Sequence, residues 1–98
     1  MAKVPKFDVA EYLDSDEAIA AYLSEALEEG DPEAIAIALG NVTRARGMTS
    51  VAAEAGVSRE NLYRALKAGG RPEFATVMKV INVLGVRLVA KPKEPAHA

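Results

Sequence analysis

The sequence contains no cysteine, which excludes disulfides and thiolate metal sites and fits a reducing compartment. Histidine is almost as scarce. The single one, His97, lies in the tail Lys91-Pro92-Lys93-Glu94-Pro95-Ala96-His97-Ala98, read as a flexible end. No second ligand type is placed to share a metal with it, and a tail is a poor place for a general base. No apolar run approaches the roughly 20 residues that span a bilayer. The start, Met1-Ala2-Lys3-Val4-Pro5-Lys6, has a basic flank without an apolar stretch behind it. A secretory signal is therefore not expected, and the expected location is the cytoplasm. A Gly-rich phosphate loop and the H-E-x-x-H pattern are missing too. The carboxylates of Asp14-Ser15-Asp16-Glu17 stand where helix starts collect them. The reading is a protein without a cofactor or catalytic apparatus.

What is present is the composition of one globular domain: 98 residues, 50% apolar and 27% charged. The net charge of −2 conceals a division. Residues 1–43 carry two lysines against ten acids, a balance of −8. Residues 44–71 carry Arg44, Arg46, Arg59, Arg64, Lys67 and Arg71 against Glu54 and Glu60, a balance of +4. An acidic block beside a basic one suggests two faces with different partners.

Apolar periodicity predicts an all-α fold of five helices. Residues 1–14 show no sustained period and read as an irregular segment, residues 15–90 as the folded domain, and residues 91–98 as the tail. The first helix follows Ser15 or Asp16, buries Ile19, Tyr22, Leu23, Ala26 and Leu27, and stops at Gly30. Asp31-Pro32 opens the second, with Ile35, Ala38, Leu39 and Val42 inward, ending near Arg46-Gly47. Thr49 or Ser50 is expected to cap a third through Ala55, closed by Gly56, and Ser58 a fourth that ends at Gly69-Gly70. Pro72-Glu73 opens the fifth, with Phe74, Val77, Met78, Ile81 and Leu84 as its buried stripe, ended by Gly85. The alternating run Val86–Ala90 is a candidate short strand, which would need a partner such as its own copy in a second subunit.

The stretch from Met48 to Lys67 has the steric requirements of a helix-turn-helix. Ala52 is small where a second helix must cross close to the first, and Gly56, four residues on, tolerates positive φ in the turn. Val57 buries after the turn, Ser58 caps the second helix, and Leu62 and Leu66 fix that helix to the core. If the second helix enters a major groove, Ser58, Arg59, Glu60, Tyr63 and Arg64 face the base edges. Arg46, Thr49, Ser50, Lys67 and Arg71 are then placed for phosphates. One helix makes few base contacts, so a homodimer on a palindromic operator is expected, with half-sites about 34 Å apart or a multiple of that.

Several segments carry a resemblance. They are Phe7-Asp8 with Glu11-Tyr12-Leu13-Asp14, Tyr22-Leu23 with Ala26-Leu27-Glu28-Glu29-Gly30-Asp31-Pro32, and Arg44-Ala45-Arg46-Gly47-Met48. Ser58-Arg59-Glu60-Asn61-Leu62-Tyr63-Arg64-Ala65-Leu66 and Leu84-Gly85-Val86-Arg87-Leu88 belong with them. In that order and spacing, over residues 7 to 89, the chain resembles the probable addiction module antidote family, a HigA-like branch of the lambda-repressor-type (XRE-type) helix-turn-helix proteins. Arg71 departs from it, standing where an asparagine is common. The resemblance implies an antitoxin that represses its own operon and neutralises a RelE/ParE-type toxin encoded beside it. The alternative is a stand-alone repressor of the same type with no toxin partner. Toxins of this kind are basic, so the acidic block gains a candidate role in attracting one, with Phe7, Tyr12 and Leu13 as apolar anchors or, alternatively, as cover for the chain's own core.

Overall fold

The computed structural model describes residues 12–94. The hydroxyl of Ser15 accepts the amide of Ala18 at 3.1 Å and caps α1 (Asp16–Glu29). Gly30, with φ of 76°, ends that helix by donating its amide to the carbonyl of Ala26. The Asp31 carboxylate then accepts the Glu33 amide at 3.3 Å, and Pro32 occupies the first turn of α2 (Pro32–Arg46). Three further helices follow: α3 (Met48–Ala55), α4 (Arg59–Ala65) and α5 (Phe74–Val83). The five expected helices are all present and the fold is all-α.

Boundaries differ from expectation at two places. Neither Thr49 nor Ser50 caps α3, which starts directly on Gly47 with no side-chain cap. The Gly47 amide closes α2 on the Thr43 carbonyl at 2.8 Å, while its own carbonyl receives Val51 at 3.0 Å. With one residue serving both helices, no separate cap fits between them. At the other place, α4 stops at Ala65, well before Gly69-Gly70, because Leu66 leaves the helical region with φ of −103° and ψ of 63°.

α1 packs on α2, α2 on α3, and α3 on both α4 and α5. Ile19, Leu23, Leu39, Val42, Val51, Ala52, Leu62, Leu66, Val80, Ile81 and Leu84 make one continuous core. Leu13 joins it and is only 4% exposed. On α5 the core-facing stripe is Val77, Val80, Ile81 and Leu84, so Phe74 (74% exposed) and Met78 are turned outward instead of inward. Leu27 on α1 is likewise exposed. No strand forms among the described residues. Val86 donates to the Ile81 carbonyl at 3.4 Å, and beyond it the backbone of residues 87–94 runs without a hydrogen-bond partner.

Thr43 is the one buried polar side chain among the described residues, and its hydroxyl has no hydrogen-bond partner. Burying an unpaired hydroxyl costs about 1–3 kcal/mol in proteins. Thr43→Val keeps the shape and removes the hydroxyl, so urea unfolding should show a gain of about 1 kcal/mol. A loss of stability would mean that the hydroxyl is satisfied.

Candidate nucleic-acid interface

The turn between α3 and α4 is built by two backbone bonds. Gly56 donates to Ala53 at 3.2 Å and Val57 to Ala52 at 3.0 Å, the paired closure that stops a helix and reverses the chain. That closure needs a left-handed residue, and Gly56 has φ of 75°. A Cβ there would meet no atom within 4 Å, so the demand on this position is purely one of backbone conformation. Gly56→Val should therefore cost about 1–2 kcal/mol in thermal unfolding, with the fold retained. Ser58 then accepts the Asn61 amide at 3.0 Å and starts α4.

α4 lies against the molecule through Leu62 and Leu66, and Ala52 of α3 is buried among the core residues. Val57 is half-buried and packs on the same core. The opposite side of α4 is open: Ser58, Arg59, Glu60, Tyr63 and Arg64 are all exposed, Tyr63 by 51%. Glu60 makes no ion pair with Arg64, so neither charge is spent on the other. One turn along, the Lys67 ammonium sits 5.8 Å from the centre of the Tyr63 ring, a distance at which a cation is drawn to the ring face. A groove of about 740 Å³ beside α4 brings Ser58, Arg64 and Arg71 together. Asn61 and Thr76 line it as well. Spacing alone did not single out these two. Asn61 is an unremarked polar position in the first turn, and Thr76 is brought near only by the fold.

Of the residues expected at phosphates, Thr49 and Ser50 are exposed in the first turn of α3, and Lys67 and Arg71 are exposed after α4. Arg46 is differently employed. Its guanidinium bridges Asp16 at 2.7 Å and donates to the Leu84 carbonyl at 3.3 Å, tying the end of α2 to the start of α1 and the end of α5. Its place in the free chain is a structural clasp. Arg44 bonds the Asn41 side-chain oxygen, and Asn41 in turn donates to the Tyr22 hydroxyl at 2.8 Å.

The acidic side is α1 with the first part of α2, where Glu25, Glu28, Glu29, Asp31 and Glu33 are exposed. Between residues 7 and 43 the chain has no lysine or arginine. Of the three apolar anchors expected there, Tyr12 is 54% exposed, Leu13 is buried in the chain's own core, and Phe7 lies outside the described residues. Leu13 thus covers this chain's interior and is not available to a partner.

Comparison with known proteins adds a decisive observation. A family model described as "probable addiction module antidote protein" matches residues 3–92, nearly the whole chain. The chain belongs to this antidote family. A relative from Haemophilus influenzae, described as an uncharacterized protein, is 53% identical over 81 residues, which cover 83% of this chain and 84% of the relative. No solved structure matches. Membership gives the antidote a role in a toxin–antitoxin system and implies a toxin partner of some kind. Among the described residues no helix is long and apolar enough to cross a membrane.

Proposed function

We propose that this antidote is the antitoxin of a type II addiction module, acting in the cytoplasm as a two-fold pair. In this reading α4 enters the major groove of operator DNA and represses the module's own operon. The observation that carries it is the uncovered row Arg59, Glu60, Tyr63 and Arg64 on a helix whose other side is locked into the core. Arg59 and Arg64 have the planar fork that matches guanine O6 and N7, and Glu60 is an acceptor for a cytosine amine. Lys67, Arg71, Thr49 and Ser50 surround this row as phosphate ligands.

The partner toxin is of the basic RelE/ParE type in this reading. What supports it is charge: the exposed carboxylates Glu25, Glu28, Glu29, Asp31 and Glu33 make no ion pair among the described residues. Family membership favours this over a stand-alone repressor.

The test is a binding titration on the DNA upstream of the chain's own gene, with and without the product of the adjacent gene. Affinity should fall steeply with salt, with a log–log slope near −0.9 per phosphate neutralised. Equal affinity for random DNA at every salt concentration would refute operator recognition. An adjacent product that is not basic, or that does not bind, would refute the toxin assignment and leave the DNA reading standing.

A further inference from the structure

A second concavity among the described residues is an apolar groove of about 680 Å³, most of whose lining the functions above do not use. Leu27, Ile35, Phe74 and Val77 line it on the helical side. Along its other side runs the segment from Val86 to Leu88, at the start of the stretch whose backbone is unpaired. Val86 and Leu88 pack on the core, while Arg87 and Val89 face out, Val89 by 69%. This is the alternation of a half-buried strand without its neighbour. A row of unpaired amides and carbonyls beside exposed apolar side chains is a template for another strand.

We infer that the groove is closed by a second copy of this chain, whose residues 86–90 pair antiparallel with the same residues of the first, on a two-fold axis at Leu88. The inference specifies the interface of the two-fold pair proposed above.

The register follows from parity and charge. Side chains directly opposite one another in an antiparallel pair share a face. An axis midway between two residues would therefore set inward Leu88 against outward Val89 and is excluded. An axis at Arg87 sets that arginine against its own copy, and an axis at Val89 sets Arg87 against Lys91. Both oppose like charges directly, which is destabilising. The axis at Leu88 instead sets Leu88 against itself, Val86 against Ala90, and Arg87 against Val89, whose exposed methyls meet the arginine's aliphatic stem.

The same register sets Lys91 of the second copy opposite Gly85. A Cβ at Gly85 would lie 3.7 Å from the Asp16 carboxylate, so that lysine approaches an acid. The segment's own cations, Arg87, Lys91 and Lys93, make it an unfavourable seat for a basic toxin. The added strand lies over Phe74 and Leu27 and removes them from water.

The absence of native cysteine makes the register directly testable. Sedimentation of the full chain, without DNA or toxin, should show a dimer at tens of micromolar. Under mild oxidation Leu88→Cys should form a disulfide-linked dimer. Val89→Cys should not, since its copies stand about 8 Å apart across the pair, too far for a disulfide. Phe74→Glu, at an exposed position, should weaken the dimer about tenfold or more with an unchanged circular dichroism spectrum. A monomeric wild-type chain overturns the inference, as does crosslinking at Val89 equal to that at Leu88, or a dimer indifferent to Phe74→Glu. A monomer in which Phe74→Glu abolishes capture of the adjacent gene product also overturns it, and assigns the groove to the toxin. None of these readouts involves DNA, so operator binding stands or fails separately.

Discussion

Gly40→Ala should lower the stability of the domain by about 1–3 kcal/mol, against the usual rule for a helix interior. Alanine normally exceeds glycine there by about 1 kcal/mol, because it restricts the unfolded chain and hides backbone from water. Gly40 sits in the middle of α2 with unremarkable helical surroundings in sequence. In space, however, a Cβ on it would overlap the carbonyl oxygen of Leu66 and stand 3.1 Å from the carbonyl carbon. These are backbone atoms at the end of α4, and the Leu66 side chain is fully buried, so neither party can move aside cheaply. Thermal unfolding should report a melting temperature lower by roughly 4–8 °C per kcal/mol for a domain of this size. An unchanged or raised melting temperature would show that α2 and α4 are not held in this close approach.

Arg59→Ala and Arg64→Ala should each weaken binding to the cognate operator by about 1–3 kcal/mol, roughly tenfold to a hundredfold, and affect random DNA little. Both side chains are exposed, and Arg59 has no ion pair or side-chain hydrogen bond among the described residues. Their removal should therefore leave the melting temperature nearly unchanged. That separates them from Arg46, where substitution would loosen the contact with Asp16 and Leu84. Competition titrations with cognate and scrambled duplexes make the measurement. Equal losses on both would reassign the residue to a phosphate, and no loss on either would remove α4 from the interface.

Local chemistry explains why much of this was legible beforehand. Ser15, Asp31 and Ser58 each announce a helix start through an oxygen that accepts a nearby amide, and Gly30 and Gly56 announce an end. The outward set on α4 followed from fixing Leu62 and Leu66 inward, since the helical period then leaves Arg59, Tyr63 and Arg64 outside. α5 was less legible because it is apolar almost all round. Phe74–Met78–Ile81 and Val77–Val80–Ile81–Leu84 are both acceptable stripes by spacing, and only packing against α3 and the common core selects the second. Gly40 gave no signal because the atom it must avoid is 26 residues away in the chain. Arg46 misled for a related reason: a cation in a basic block looks available until Asp16, thirty residues earlier, is found beside it.

The shortness of α4 has its own consequence. Seven residues rise about 10 Å, the height of about three stacked base pairs. A helix of this length in a major groove reads a word of about three letters, and with four distinguishable pairs such a word recurs by chance about every 64 positions. Two copies held at a fixed separation read about six letters, which recur about every 4,000. An address that short leaves little room for degenerate positions, so the spacing between the two words must carry meaning of its own. Inserting one base pair between them should then be as damaging as changing a letter.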